Sequence, residues 1–289
     1  MITPPVASAL GEGQSKTVNG ASKSNKGWEF IVTYHGQQNG DFNYNVTLNF
    51  SHFRDKITDL PENVRPAYPG NIGNTIIGHS QFDIFGYKTA GLFQSQAEVD
   101  AAPTQIGAGP GRIRYVDIKN DGKIDANDQT WIGTTLPALE YGARIDLTYK
   151  KFDLSIFGSG VAGRKGFDPY TFYNNLMHSR ENVGPGVLDA WTPQHTNTNV
   201  PALTLKDNNN EGRTSDYFIV NTSYFKMRNI QIGYNIKPKS VFTRLRVFAM
   251  AENIFTFKSK QYLSPDPERL SLDQVSIPKI FTFGINASF

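Results

Sequence analysis

The chain has 289 residues, of which 38% are apolar and 12% aromatic, and its mean hydropathy is −0.41. A bundle of membrane-spanning helices is excluded, because each such helix needs roughly 18 consecutive apolar residues and the sequence has no such run. The formal charge of +3 comes from 29 basic and 26 acidic residues mixed along the chain, so nucleic acid is not an expected partner. The absence of cysteine excludes disulfides and thiolate sites.

Residues 1–26 are rich in Gly, Ser, Lys, Asn and Pro and carry no periodic apolar pattern. This composition predicts a loop or a frayed terminus, followed by a β-rich part over residues 27–289. The first residues lack both the positive charge and the apolar core of a secretory signal. The sequence as written therefore predicts no export signal.

Strands with a strict two-residue alternation begin after this segment. In one of them, successive side chains divide into an apolar set, Phe42, Tyr44, Val46, Leu48 and Phe50, and a polar set, Asn43, Asn45, Thr47, Asn49 and Ser51. Because neighbouring side chains of a strand point to opposite faces, each set occupies one face. Further strands are predicted at 28–35, 141–149, from 152 onward, 229–236, 244–255 and 279–289, with tight turns at Asn39-Gly40 and Lys150-Lys151.

Long irregular segments lie between these hairpins, at residues 61–138 and 163–222. Within them, 81–93 and 112–117 are predicted to be extended, and short helical turns are predicted near 169–178 and 185–191. The chain thus reads as all-β, with about eight antiparallel strands whose connections alternate between very short and very long. This sorting is typical of a transmembrane β-barrel, whose strands span the hydrocarbon with roughly 9 to 11 residues. A soluble β-sandwich does not require it.

The most specific local motif is a calcium-type loop. Asp117, Asp121, Asp125 and Asp128 occupy the first, fifth, ninth and twelfth positions of an EF-hand-type loop, with Gly122 at the sharp turn. Lys119 stands at the third position, where it offers no acceptor and adds positive charge. Two alternatives follow: a loop that binds a structural calcium ion, or an Asp/Gly-rich turn that keeps this shape without metal.

No catalytic arrangement is found, so the chain is predicted not to be an enzyme. The five histidines are scattered, and neither a zinc His-Glu-x-x-His pair nor a serine nucleophile elbow occurs. Four aromatic residues in the polar segments could stack on sugars, although packing of the long loops is favoured: Trp131, Tyr170, Tyr173 and Trp191.

Several segments, taken in order, resemble the SusC/RagA family of TonB-linked outer-membrane transporters. They are residues 25–29, 86–95, 112–125, 191–193, 215–219, 226–234, 251–255 and 283–289. The resemblance implies import of glycans or peptides by a plugged barrel of about 22 strands, energised by TonB and paired with a SusD-like surface lipoprotein. The family's plug and more than half of its barrel would precede residue 1.

The resemblance therefore predicts a C-terminal barrel fragment of the outer membrane that is inactive alone. It assigns the apolar set of residues 42–50 to lipid and the polar set of 43–51 to the lumen. Phe289 resembles the terminal aromatic residue that outer-membrane assembly recognises. Two alternatives remain: a small autonomous barrel, closed by pairing of strands 27–36 and 279–289, and a soluble calcium-stabilised carbohydrate-binding sandwich.

Overall fold

The computed structural model describes residues 20–36, 40–176, 182–236, 242–270 and 275–289. These residues include two short α-helices, α1 at Gln96–Ala101 and α2 at Pro169–Asn175. Within the described ranges, no helix has the length and apolar character needed to cross a membrane. The strands are β1 Ser22–Gly36, β2 Phe42–Asp59, β3 Asp83–Tyr87, β4 Thr89–Leu92, β5 Ile113–Tyr115, β6 Gln129–Thr134, β7 Leu139–Tyr149, β8 Phe152–Ala162, β9 Lys165–Phe167, β10 Ile219–Asn221, β11 Tyr224–Ile236, β12 Arg244–Glu252, β13 Thr256–Lys258 and β14 Ile280–Ser288.

Eight strands form one antiparallel sheet in the order β1-β2-β7-β8-β11-β12-β14, with β13 paired to β11. Apart from the small strands within the loops, each strand of this sheet pairs with the strand before it and the strand after it in the chain, as in an up-and-down meander. β1 begins at Ser22, so residues 22–26 are strand and not the predicted loop, while residues 1–19 lie outside the described residues. The division of the chain near residue 26 otherwise stays a prediction.

The connections are sorted by length between the two ends of the sheet. Residues 37–41, 150–151 and 237–243 link the strands at one end, which we call the short-turn end. Residues 60–138, 163–223 and 253–279 link them at the other end, and we call these three segments the loop cap. Lys150 has a φ of 56°, the left-handed value found in tight hairpin turns. Asn39 of the other predicted turn lies outside the described residues.

The loop cap contains its own small sheets and hydrophobic clusters. The pairs β3–β6, β4–β5 and β9–β10 are two-stranded sheets, so the extended stretches predicted at 81–93 and 112–117 form strands away from the large sheet. The predicted helical turns correspond to α2 and to a 3-10 turn at Pro185–Asp189. One cluster joins Ile57 at the end of β2 to Leu60, Val64 and Ile76, which attaches the cap to the sheet.

The sheet is open along both edges. Among the described strands, β1 pairs only with β2 and β14 pairs only with β12. The small closed barrel, which requires these edge strands to pair with each other, is therefore not formed. The eight strands instead form an open sheet, which we call the wall.

Candidate transport wall and loop cap

One face of the large sheet is apolar from edge to edge. Val46 of β2 pairs with Tyr34 of β1 and Ile145 of β7. The same row of paired residues continues across the sheet through Ile156, Ile230 and Ala251 to Phe281 of β14. Many side chains on this face are exposed: Phe30 is 56% exposed and Phe283 is 81% exposed. The other described sheets have two strands each, so no second layer covers this face and the sandwich alternative fails.

Aromatic side chains form a belt across this face at the short-turn end. The aromatic belt consists of Tyr34, Phe42, Tyr44, Tyr149, Phe152 and Tyr234. Four ring pairs within it have centroids 4.8 to 6.5 Å apart. Rings with polar edges collect at the level where hydrocarbon meets headgroups, so this belt is typical of a membrane interface.

The height of the apolar face matches a bilayer. Phe42 and Phe50 are eight residues apart on β2, or about 26 Å at about 3.3 Å per residue. At the tilt of about 40° that is usual for strands of outer-membrane barrels, this length would correspond to a height of about 20 Å, close to their apolar band of about 25 Å.

The opposite face is polar and is tied together across strands. The hydroxyls of Thr33 and Thr47 lie 3.1 Å apart. Arg144 donates two hydrogen bonds to Asp146, of 2.8 and 3.1 Å, and the Ser155 hydroxyl donates a third at 2.7 Å. Because these groups satisfy one another, the face can border water or a polar cargo without burying an unpaired charge.

Buried polar groups organise the loop cap. Glu211, which is 1% exposed, accepts hydrogen bonds from Arg112 Nη1 at 3.0 Å and from the Ile113 backbone N–H at 2.8 Å. Asn209 connects Glu211 to Gln105 through bonds of 3.1 and 2.6 Å. These contacts join residues about a hundred positions apart in sequence, so the first two segments of the cap fold as one unit.

A charged cluster holds the third segment of the cap against β11. We call it the ionic anchor, and its members are Lys226, Arg228, Asp266, Glu268 and Tyr224. Lys226 is 2% exposed, and its Nζ lies 3.1 Å from both Asp266 carboxylate oxygens and 2.8 Å from Glu268 Oε2. Arg228 donates to both oxygens of Glu268, and the Tyr224 hydroxyl lies 2.7 Å from Glu268 Oε1.

The acidity of Glu268 reflects this cluster. Burial by itself would raise the pKa of the carboxyl, but hydrogen bonds from Arg228, Lys226 and Tyr224 outweigh it and lower the pKa to about 2. The two cations and the two carboxylates balance, so the anchor carries no net charge, and its Lys226–Asp266 half is buried. The sequence offers little to reveal it, because Lys226 and its acidic partners are at least 40 positions apart.

The predicted calcium loop folds around Asp128. This side chain is 1% exposed, and Oδ1 accepts the backbone N–H groups of Ile118 and Lys119 at 2.9 and 3.2 Å. Its Oδ2 accepts the Asp125 N–H at 2.7 Å, while the Asp125 side chain caps the 3-10 turn Ala126–Asp128.

The outer carboxylates of this loop have separate partners. Asp117 accepts the N–H groups of Asp121 and Gly122 at 3.3 and 2.8 Å. Lys123 Nζ lies 2.8 Å from Asp125, and its hydrogen bond is the leading cause that lowers the pKa of that carboxyl. In the part of the chain that the structure describes, no three acidic or histidine side chains are gathered to hold a metal ion. The hydrogen bonds support the turn directly, and calcium binding stays a prediction.

The loop tryptophans pack inside the cap, as favoured from the sequence. Trp191 is 7% exposed in a core cluster with Ile113 and Tyr115, and its Nε1 donates to Gln94 at 2.8 Å. Trp131 stacks on His79 with ring centroids 4.1 Å apart. Tyr170 is partly buried, and Tyr173 is exposed beside Phe172, with ring centroids 4.9 Å apart.

The histidines contact unrelated partners. His35 contacts Asn45, His52 contacts the Ala138 carbonyl and His195 contacts Asp189, at 2.6, 2.7 and 2.8 Å. His178 lies outside the described residues. These contacts assemble no catalytic or zinc-binding group within the described ranges.

Over most of its length, the chain is similar in sequence to known TonB-dependent receptors. The chain is 26% identical to TonB-dependent receptor P3 of Formosa agariphila over 95% of its own length. It is 24% identical to TonB-dependent receptor SusC of Bacteroides thetaiotaomicron over 94%. The chain spans 30% and 27%, respectively, of these two relatives. No family model matches it.

Among solved structures, the chain is similar to the RagAB peptide transporter. The TM-score is 0.75 at 22% identity, over 99% of this chain and 32% of that one. At this identity the likeness shows the fold, which is a partial barrel of antiparallel strands with long loops. The sequence resemblance to SusC/RagA-type TonB-linked transporters is thus confirmed.

Proposed function

We propose that this chain, as a relative of the SusC/RagA-type TonB-linked transporters, forms the C-terminal part of the barrel wall of an outer-membrane nutrient importer. The observation that carries the proposal is the two-faced sheet whose long connections all lie at one end. Lipid suits the exposed apolar face with its aromatic belt, and a wet lumen suits the hydrogen-bonded polar face.

The two ends of the sheet then face different compartments. The short-turn end faces the periplasm, where TonB acts in such transporters, and the loop cap faces the outside, where a SusD-like surface lipoprotein would sit. The cargo is a glycan or a peptide. Hydroxyl and carboxamide groups such as those of Thr47, Asn45 and Asn49 can hydrogen-bond either class, and labelled oligosaccharides and oligopeptides compared in uptake assays would separate them.

The chain is inactive alone in this proposal. Among the described residues, no strand pairs with the outer edge of β1 or of β14, and hydrocarbon cannot satisfy the backbone N–H and C=O groups along these edges. Additional strands must therefore pair with both edges before the wall can enclose a lumen.

Single-cysteine labelling of the membrane-inserted protein tests the two faces, since the chain has no cysteine of its own. An environment-sensitive fluorophore on Val46→Cys should be quenched by lipids brominated in their acyl chains. The same fluorophore on Thr47→Cys, one residue along β2, should respond to aqueous iodide instead. Equal responses at these neighbouring positions would refute the assignment.

Labelling in whole cells tests the two ends. A membrane-impermeant maleimide should react with Leu188→Cys in the loop cap, where the native side chain is 87% exposed. It should react with Lys150→Cys at the short-turn end only after the outer membrane is permeabilised. The reverse pattern would contradict the orientation.

A further inference from the structure

A groove runs along strand β12 on the apolar face of the sheet. Its floor is formed by Val247 and Ala249, and its volume is about 580 Å³. The side chains that rise around it are Ile232 and Tyr234 of β11, Phe283 and Ile285 of β14, and Phe152 of β8. The volume falls within the range of about 300–1,000 Å³ that is typical of small-molecule sites.

The strand register explains why the groove lies there. Ala249 pairs with Ile232 on one side and Phe283 on the other, and Val247 pairs with Tyr234 and Ile285. Paired side chains stand about 5 Å apart on the same face, so a short side chain between two large ones leaves a trough. The groove lies on the face and not at the edge, so a further strand beside β14 would extend it without covering it.

A positive charge stands at the short-turn end of the groove. Lys151, in the turn between β7 and β8, has its Nζ 5.8 Å from the ring centroid of Tyr234, which lines the groove. The adjacent Lys150 lies instead over the ring of Tyr149 and 3.8 Å from Asp41. An apolar trough with a cation at its end matches a molecule that carries an alkyl chain and an anionic head.

We infer that this groove binds an acyl chain of an anionic phospholipid from the leaflet at the short-turn end, with its phosphate beside Lys151. The inference rests on the proposed membrane location of the apolar face. The chain would fill the trough over Ala249, and the aromatic belt would place the phosphate at the level of Lys151. Such a lipid would remain with this wall longer than a lipid elsewhere on the same face.

Brominated lipids test the inference in the membrane-inserted protein. A fluorophore on Leu154→Cys reports on the groove, because Leu154 pairs with Ile232 on the same face. A fluorophore on Leu48→Cys, on the same face of β2, serves as the matched control. Two sets of phosphatidylcholine vesicles are prepared, one with brominated phosphatidylglycerol and the other with the same fraction of brominated phosphatidylcholine. The quenching of each fluorophore is then compared between the two sets.

We expect phosphatidylglycerol to be preferred about fivefold at Leu154, as for one lysine near an anionic headgroup, and not at Leu48. Lys151→Gln should abolish the preference, whereas Lys150→Gln should preserve it. Ala249→Phe should lower quenching at Leu154 by both lipids, because the ring fills the trough. Lys151→Gln changes only an exposed turn and provides the test even if Ala249→Phe fails to fold.

The outcomes separate this inference from the proposed function. If brominated lipids quench both reporters without headgroup preference, the groove is ordinary lipid-facing wall and the inference is wrong. The same conclusion follows if Lys150→Gln and Lys151→Gln have equal effects. If neither reporter is quenched by any brominated lipid, the apolar face is not in the membrane and the proposed function itself fails.

Discussion

Neutralising Glu268 should release the third segment of the loop cap from the barrel wall. In Glu268→Gln, the side chain keeps its size but loses the charge that Lys226 Nζ meets at 2.8 Å and that Arg228 meets with two donors. Asp266 remains as the partner of Lys226, so the anchor is left with two cations and one carboxylate. Because Lys226 keeps Asp266, the excess positive charge falls on Arg228, whose side chain is 27% exposed.

The size of the effect follows from this geometry. Removing one partner of a buried ion pair costs about 3–5 kcal/mol. The Glu268 side chain is 17% exposed and Asp266 still neutralises Lys226, so we take the lower end, about 3 kcal/mol. At about 1.4 kcal/mol per factor of ten, the segment should open about 100-fold more often.

Hydrogen–deuterium exchange measures this opening directly. The Glu268 and Ile277 amides donate to Asp266 at 3.0 and 3.2 Å, so peptides covering them report whether the segment is docked. Their exchange should accelerate about 100-fold in Glu268→Gln, the factor expected from about 3 kcal/mol.

The control is Glu62→Gln, since Glu62 is 87% exposed in a 3.8 Å pair with Arg65. Its exchange should match that of the unaltered protein. Equal exchange in all three proteins would refute the view that the ionic anchor holds the cap.

Three other predictions concern the anchor, the predicted calcium loop and the wall. Because the pKa of Glu268 is lowered to about 2, its contribution to docking is present above about pH 4.5 and is lost as the pH falls towards 2. Pepsin cleavage of residues 259–279, divided by the cleavage of an unfolded substrate at the same pH, should increase as the pH falls through that window. Glu268→Gln should reduce the increase but not remove it, because, against the effect of burial, the backbone N–H groups of Glu268 and Ile277 also lower the pKa of Asp266; a pH-independent ratio in the unaltered protein would contradict this. Lys119→Asn supplies an acceptor at the third loop position, so calcium should raise its Tm relative to chelator more than that of the unaltered protein, and equal shifts would show that Lys119 does not limit binding. If the apolar face meets lipid as proposed, Val46→Lys puts a charge there at a cost of about 2–4 kcal/mol, whereas Thr47→Lys on the polar face should cost far less. The folded fraction in vesicles, read from heat-modifiable gel mobility, should fall only for Val46→Lys.

The wall could be predicted because its information is local. The alternation over Phe42–Ser51 fixes which side chains share a face, and Lys150-Lys151 fixes a turn, within windows of about ten residues. The β1–β2 register then places Phe30 opposite Phe50, as both patterns require. The start of β1 was missed because residues 22–26 are polar, and strand pairing with residues 54–59 compensates for their weak propensity.

The loop cap could not be predicted in the same way. Arg112 meets Glu211, and Lys226 meets Asp266, across 99 and 40 positions. Both acidic partners lie in irregular segments, which have no periodicity to read. The aspartates at 117–128 were recognisable as a motif, but only the fold shows that Asp128 lies buried beneath three backbone N–H groups.

The groove along β12 also depends on the fold. Val247 and Ala249 are ordinary small residues in the sequence, and they form a floor only because pairing sets β11 and β14 on either side. The sequence by itself thus determined the two faces of the wall and the sorting of its connections, since strand periodicity acts between adjacent residues. The tertiary structure decided which distant charges meet and where small side chains leave space, since those depend on contacts between strands and loops far apart in the chain.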